Sequence, residues 1–469
     1  MNEKNGTRRL VVIGAGPGGY AAAFHAADLG VKVTLIDKED VPGGVCLLRG
    51  CIPTKALLHV AKLITDAKGA NEFGISFQNP DIDVNRLRTW KNDVVKKLTG
   101  GLRTLCRKKK VEYIQGEAKF LDSNTIEVKK TANGTEKITF ENAILATGSI
   151  PATIPNLPRD SNNILTSRTA LEVENVPQSL LVIGGGYIGL ELGSIYANLG
   201  TRVSLVEMTG NLMPLSDQEL VSILSKKISK IFESVMLNTQ VTSLEQKDNG
   251  IQVSLEGQNI EQKEQVYEKV LVAVGRKPNS ANIGLENTKI EVDDKGFVSI
   301  RDNCRTDDAS IYAVGDITGP PLLAHRATHQ AFVAAKVIAG YDVVFNPMAI
   351  PSVVYTDPEI AECGMSEKQA NEAGININVT KFPWYASGRA ATLGDDEGLT
   401  KLIIDAENER ILGAGIVGAG AGELISEAAL AVEMAAVATD LAFTIHPHPT
   451  LSETLMEAAK IFSGGSVHL

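Results

Sequence analysis

"RRLVVIGAGPGGYAAAFHAADLGVKVTLIDKE", residues 8–39, decides the fold. It reads strand, tight glycine turn, helix, strand. Val11–Ile13 form an apolar run, and Gly14, Gly16 and Gly19 satisfy G-x-G-x-x-G. An amphipathic stretch runs to Leu29, Gly30 stops it, and "VKVTLID" supplies the second strand. Asp37 ends that strand, where a carboxylate can accept a ribose hydroxyl. Glycines in such a turn let the backbone approach a pyrophosphate at the helix N-terminus, where orphan N–H groups and the dipole favour anions. The glycines alone are a weak signal. Strand, turn, helix, strand and acid together are a strong one.

The pattern recurs in "QSLLVIGGGYIGLELGSIYANLGTRVSLVEM", residues 178–208. Gly184, Gly186 and Gly189 repeat the spacing, Gly200 repeats the stop, and Glu207 ends the strand. Gly184 follows Gly14 by 170 residues, so the fold is duplicated and two dinucleotides are implied. Glu207 suits a 2′-hydroxyl and repels a 2′-phosphate. Met208 beside it brings no positive charge, and Arg202 lies at the far end of the strand. The second fold therefore reads as an NAD site.

Between the two, "GGVCLLRGCIPTK" (43–55) places Cys46 and Cys51 five positions apart. In a regular helix such positions lie roughly 8.6 Å apart between Cα atoms. A disulfide wants about 4.4–6.8 Å, so a Cys46–Cys51 bond needs a distorted backbone. Gly43, Gly44 and Gly50 permit one. A strained bridge is readily reduced, which suits a working disulfide. Dithiols donate electrons through thiolates, nicotinamide accepts a hydride, and flavin mediates between the two. FAD is thus assigned to the first fold, which carries the thiols, and NAD to the second.

With 469 residues the chain is too long for one core. Its net charge of −10 argues against a nucleic-acid or anionic-membrane partner. The basic run Arg107–Lys110 reads as a solvated helix end. No membrane-spanning helix is expected, since the apolar stretches are interrupted, and the N-terminus lacks the apolar core of a signal peptide. Five cysteines, few and odd in number, fit a reducing compartment, and a cytoplasmic location is expected. Cys106, Cys304 and Cys363 read as isolated thiols. A zinc reading of Cys46 and Cys51 fails for want of a second cysteine pair, so no metal site is expected.

"GGVCLLRGCIPTKALLH" resembles the Gly-Gly-x-Cys-x4-Cys-Ile-Pro-x-Lys signature of the class I pyridine nucleotide–disulfide oxidoreductases. The likeness extends through "ILATGS" (144–149), "VAVGRKPN" (272–279), "IYAVGDI" (311–317) and "HPHPTLSE" (446–453). Within that family it is similar to the branch acting on lipoyl groups. The resemblance implies that Cys46 exchanges with substrate and Cys51 faces the flavin. It implies that Lys55 lies near the flavin, paired with Glu191, that Asp316 binds the ribityl chain, and that the Ala324 backbone meets the flavin ring. Ala118 and Val241 match positions touching the two adenosines, and Gly275 a further NAD contact. His448 would be the acid–base catalyst, with Glu453 holding its tautomer, much as in a Ser–His–Asp triad. His446 is its near neighbour and reads as a turn residue; the other histidines are read as having no role.

The architecture implied is α/β, with two Rossmann-like dinucleotide-binding domains, a central domain and a C-terminal α+β dimerisation domain. Expected boundaries are 1–150 for FAD, 151–277 for NAD, 278–346 for a central domain completing the FAD site, and 347–469 for the interface. The reaction implied is FAD-dependent oxidation of protein-bound dihydrolipoamide with reduction of NAD to NADH. The implied setting is a homodimer in which His448 reaches Cys46 of the partner subunit, engaging lipoyl domains and the core of 2-oxoacid dehydrogenase complexes or glycine cleavage. An NADPH-dependent reductase of the glutathione reductase type is the alternative, and Glu207 speaks against it. A flavin-binding structural subunit without turnover is disfavoured by the complete set of Cys46, Cys51, His448 and Glu453. "GAGIVGAGAGE" (413–423) reads as close packing in an interface strand and helix, not a third phosphate loop, with Leu424–Leu430 giving a dimer face. Where the family often shows polar residues, this chain has Leu47, Leu48 and Arg49. Arg49 is expected either to favour a nearby thiolate or to point to solvent.

Overall fold

A computed structural model describes residues 9–466 apart from 79, 133, 155–160, 258 and 259. The chain divides into two compact units. One holds residues to Ala56, Asp83–Ala152 and Gly275–Asn346; the other holds Leu57–Ile82, Thr153–Val274 and Pro347 onward.

In the first unit, Arg9–Ile13 is an interior strand, third in the order of a seven-stranded sheet. On one side it pairs in parallel with Lys32–Asp37, and on the other with Asn142–Leu145, which in turn pairs with Ile311–Ala313. Both faces of this parallel core are covered, which is why its strands read as unbroken apolar runs. Leu10, Val12, Val33 and Leu35 pack into one buried cluster, and Val11, Ile13, Ile36 and Leu145 into another. The helix Pro17–Asp28 packs on Ala324–Ile338. Alanines on both helices, among them Ala22, Ala23, Ala331 and Ala334, are fully buried and let the axes approach. The chain leaves the end of Arg9–Ile13 for one neighbour and returns to the other, so the glycine turn lies at a topological switch point, where α/β sheets bind ligands. The strand Ile311–Ala313 of the expected central region is part of this same sheet.

The second unit contains a parallel five-stranded sheet with Ser179–Ile183 at its centre, flanked by Arg202–Val206 and Lys269–Val272. Its C-terminal part is an antiparallel five-stranded sheet in which Ile411–Gly418 is central. The helices Ala421–Glu433 and Glu453–Phe462 contribute to its buried core. Of the glycines of 413–423, Gly413, Gly415, Gly418 and Gly422 are packing residues, as expected, whereas Gly420 meets nothing within 4 Å and has a left-handed φ of +71°. A Cβ on Gly415 would lie 2.6 Å from Leu220, and one on Gly413 2.1 Å from the Met365 carbonyl.

The Lys401 side chain is buried among three carboxylates, at 2.6 Å from Asp217 Oδ2, 2.6 Å from Glu219 Oε2 and 2.8 Å from Glu367 Oε2. Those three acids lie close enough together to hold a metal ion, and the ammonium already supplies the cation between them.

One stretch, Gly44–Phe73, is long and apolar enough by composition to cross a membrane, contrary to expectation. It is not a single helix. It breaks at Gly50 (φ −147°, ψ −114°) and carries Arg49 and Lys55, charges that are costly in hydrocarbon.

Candidate active site

The break at Gly50 answers the geometric difficulty of the thiols. Gly44–Arg49 and Cys51–Gly69 are separate helices, and the interruption between them brings Cys46 Sγ to 2.6 Å from Cys51 Sγ. Closing a bond of about 2.05 Å from there needs only side-chain motion. Gly43 (φ +147°) and Gly44 (φ +58°) occupy conformations that side chains avoid. A Cβ on Gly44 would sit 2.4 Å from Gly16 Cα, so the thiol helix is seated directly on the first glycine loop.

Cys46 donates to Cys51 across that short distance. This hydrogen bond first, then burial, then the charge of Cys51, drives the Cys46 thiol far above the ordinary cysteine range, while Lys55 pulls the other way. Tyr20 was not anticipated. It is one turn into the helix after the glycine loop, and burial, then the charges of Cys46 and Cys51, push its phenol up to about 12.

Neither expectation for Arg49 holds. Its guanidinium is 2.6 Å from Glu39 Oε1, and its side chain is only 14% exposed. Its charge is neutralised ten residues back in the chain, and Lys55 is the cation acting on Cys46.

The two dinucleotide folds repeat atom for atom. Gly14 N–H donates to Ile36 O at 2.8 Å, and Gly184 N–H to Val206 O at 2.9 Å. Asp37 Oδ2 accepts the Ala15 N–H at 2.6 Å; Glu207 Oε2 accepts the Gly185 N–H at 2.7 Å. Each strand-end acid is therefore tied to its own glycine turn. Glu207 Oε1 also accepts from the Thr209 N–H and hydroxyl, both at 2.8 Å. Arg202 instead pairs with Glu233 at 3.3 Å.

The glycines divide their work as a bound pyrophosphate requires. Gly14 (φ +97°) and Gly184 (φ +110°) make the turns, while Gly19 and Gly189 let the helix touch the turn, since their Cβ atoms would fall 1.7 and 2.1 Å from the carbonyls of Gly14 and Gly184. A Cβ on Gly186 would meet nothing within 4 Å, and one on Gly16 nothing nearer than Gly44 Cα at 3.9 Å. The middle glycines thus border open space at helix N-termini, so both turns fit a dinucleotide.

Other expected contacts are distributed as follows. Asp316 lies in a short helical turn and Ala324 at the N-terminus of its long helix, both in the first unit with half-buried Lys55 and Ala118. Val241 is buried in the second unit, paired with Leu255 in an antiparallel ladder. Gly275 (φ +109°) falls in the first unit, apart from the other NAD residues. Glu191 is buried and accepts the Tyr355 N–H at 2.9 Å.

In the second unit His448 Nδ1 is 2.9 Å from Glu453 Oε1, and Glu453 Oε2 accepts the Thr450 N–H at 2.8 Å. The His448 side chain is 71% exposed. His446 is more than a turn residue. Its Nε2 is 2.7 Å from Glu427 Oε1 and its Nδ1 2.9 Å from the Thr444 carbonyl, with the side chain only 4% exposed. Two histidine–carboxylate pairs thus stand two residues apart, and only the His448 pair presents its ring outward. Leu430, Met434, Phe443 and Ile445 are exposed in the same region, the signature of a surface that is covered by a partner.

Residues 8–331 match the family described as pyridine nucleotide-disulphide oxidoreductase, and residues 350–459 match its dimerisation domain. The chain belongs to the pyridine nucleotide–disulphide oxidoreductase family. It is 46% identical to the dihydrolipoyl dehydrogenase of Vibrio cholerae over 97% of its own length and 96% of the relative's. It is also 46% identical to that of Thermus scotoductus, over 99% of each. Among solved structures it superposes on LpdA of Mycobacterium tuberculosis with a TM-score of 0.90 at 25% identity, covering 97% and 99% of the two chains. On the HOCl-induced flavoprotein disulfide reductase RclA of Escherichia coli the TM-score is 0.85 at 26% identity, with 97% and 99% covered. Members of this family are FAD- and NAD-dependent enzymes, and the dimerisation domain makes the working unit a homodimer.

Proposed function

We infer that the chain oxidises protein-bound dihydrolipoyl groups with NAD, as a component of 2-oxoacid dehydrogenase or glycine-cleavage assemblies in the cytoplasm. The observation that carries this is the Cys46–Cys51 pair, 2.6 Å apart and seated on the first glycine loop. Between dithiol and nicotinamide, bound FAD supplies the ability to take electrons from thiolate and give them up as hydride. Every other role falls to the chain's own side chains.

Cys46 Sγ and Cys51 Sγ, 2.6 Å apart, form the disulfide that accepts the substrate's two electrons; Cys46 exchanges with the substrate sulfur and Cys51 faces the flavin. With Cys46 and Cys51 joined, a base must take the proton of a substrate thiol. The thiolate attacks Cys46 Sγ and breaks the Cys46–Cys51 bond. The second substrate thiol then displaces Cys46, leaving the substrate as its disulfide and both cysteines reduced. His448 is that base: beside Cys46 of the partner subunit it takes the substrate thiol's proton and returns one to the partner's Cys46 thiolate that the exchange releases. Glu453 holds Nδ1, which leaves Nε2 to accept and return the proton. Lys55 favours the thiolate, and Asp316 and the Ala324 backbone hold the flavin. Glu207 takes the ribose hydroxyls of NAD.

NAD is favoured over NADP because Glu207 is buried and acidic, while Arg202 is committed to Glu233. The test is a paired assay on the purified holoenzyme. NADH should form rapidly from dihydrolipoamide and NAD, whereas NADPH should not be oxidised by glutathione disulfide. The reverse pattern would overturn the assignment.

A further inference from the structure

Three motifs far apart in sequence meet at one point of the first unit. Thr147 Oγ1 donates to the Asn279 carbonyl at 2.7 Å, and the Asn279 N–H donates to the Gly148 carbonyl at 2.9 Å. Ser149–Pro151 and Arg276–Pro278 then form a two-stranded antiparallel ribbon. Across it Arg276 Nε donates to Ser149 Oγ at 2.7 Å and Arg276 Nη2 to the Ser149 carbonyl at 2.6 Å. Ser149 Oγ donates in turn to Asp316 Oδ2 at 2.5 Å.

We propose that Arg276 and Ser149 form a positioning relay that orients the Asp316 carboxylate toward the ribityl hydroxyls of FAD. The proposal rests on the reading of Asp316 as a flavin contact. The direction of each hydrogen bond is forced. A guanidinium has donors and no acceptor, so the serine oxygen receives the Nε–H, and its single proton is left for Asp316. Two donors from one planar group, one to the hydroxyl and one to the carbonyl of the same residue, fix the serine in position and in rotamer. Ser149 is 3% exposed, so water does not compete. The carboxylate is thereby held by Oδ2. Its Oδ1 accepts no hydrogen bond among the described residues and remains for a ligand hydroxyl. Neither Ser149 nor Arg276 touches the flavin in this scheme; both act through Asp316.

The test is FAD titration of apoprotein, followed by flavin fluorescence, alongside the melting temperature of each apoprotein. S149A and R276M should each raise the FAD Kd roughly tenfold, the loss of one hydrogen bond to a charged group. S149A/R276M should be no more than about twofold worse than the weaker single variant, because both act on one carboxylate. S149T, which keeps the hydroxyl, should stay within about threefold of the parent. Apoprotein melting temperatures should move far less than FAD affinity does. R276K, which keeps the charge but loses the two-armed geometry, must also weaken FAD, and it serves as the check should S149A not fold. Parent-like affinity in S149A or R276K, or multiplying losses in the double variant, overturns the relay. D316A separates the two readings. If it weakens FAD while S149A does not, only the relay fails; if D316A also binds FAD like the parent, the flavin role of Asp316 fails with it.

Discussion

His448 Nδ1 lies 2.9 Å from Glu453 Oε1, and the second Glu453 oxygen is held by the Thr450 N–H at 2.8 Å. The carboxylate is therefore anchored before it orients the ring, and the ring's other nitrogen is turned outward on a side chain that is 71% exposed. Replacing the base should cost more than replacing its orienter. H448Q is expected to lower turnover of dihydrolipoamide by about 10²–10⁴-fold, the span of general acid–base catalysis. E453Q should cost roughly 10²-fold, since the glutamine oxygen can still meet Nδ1 but brings no charge. H446Q, altering a ring buried within the subunit against a partly exposed Glu427, should change thermal stability and leave turnover within about threefold. Steady-state kinetics and melting curves on the three variants check this; equal losses in H446Q and H448Q would contradict it.

The thiol pair makes a second prediction through its ionisation. Cys46 is raised chiefly by its hydrogen bond to Cys51. In reduced C51A both the hydrogen-bond acceptor and the charge of Cys51 are gone, so the Cys46 thiolate should form at lower pH than in the reduced parent. The pH midpoint of Cys46 alkylation by iodoacetamide, read by mass spectrometry, should fall. In K55M it should rise, because the opposing cation is gone. In R49A it should not move, because Arg49 is spent on Glu39. A shift in R49A equal to that in K55M would sink the electrostatic assignment.

Both glycine turns, their strand-end acids and the helix stops at Gly30 and Gly200 were legible in the sequence because they are local. Spacing of three to five residues determines the turn, and the acid arrives one strand later. The thiol pair was half legible. Its spacing demanded a broken helix, and Gly50 provides the break. Contacts between residues far apart in sequence leave no such period. Nothing in "CLLRGC" points Arg49 back to Glu39, and nothing in "HPHPT" announces Glu427 as the partner of His446. The motifs "ATGS" and "GRKPN" were recognisable as patterns, yet that Arg276 holds Ser149 follows only from the ribbon that pairs them.

The middle glycines separate binding from folding. Gly186 has φ −78° and ψ 175°, values open to any residue, and a Cβ there meets nothing within 4 Å. G186A should therefore fold with a melting temperature within about 2 °C of the parent, a change of roughly 1 kcal/mol for a unit of this size. Its methyl would occupy the space in which the NAD pyrophosphate approaches the helix, so KM for NAD should rise at least about tenfold with flavin content unchanged. G44A is the contrasting case. It combines a left-handed φ of +58° with a Cβ 2.4 Å from Gly16 Cα, and should lose flavin. Flavin absorbance and NAD titration distinguish the two; normal NAD binding by G186A would contradict the cradle.

Lys401 tests what holds the second unit together. Burial alone would lower its pKa, but the hydrogen bonds it donates to Asp217, Glu219 and Glu367 outweigh it and leave the ammonium above the ordinary lysine range. A group raised on folding contributes its full stabilisation below its unfolded pKa, about 10.4, and loses it as pH rises through the folded value. At pH 7 the contribution is complete. K401M leaves Asp217 and Glu367 without this cation, and Glu219 with Lys381 alone, and should destabilise by about 3 kcal/mol, the lower end for a broken buried pair because Glu219 and Glu367 are partly exposed. Glu219 behaves with the opposite sign. Lys381 first and Lys401 second hold it below the ordinary range, so its share is present above about pH 4.3 and is lost as pH falls through the folded value. The gap between parent and K401M in urea unfolding should therefore narrow below about pH 4, as the carboxylates neutralise and no longer need the lysine. A gap that stays constant from pH 7 to pH 3.5 would mean that Lys401 stabilises by packing and not by charge.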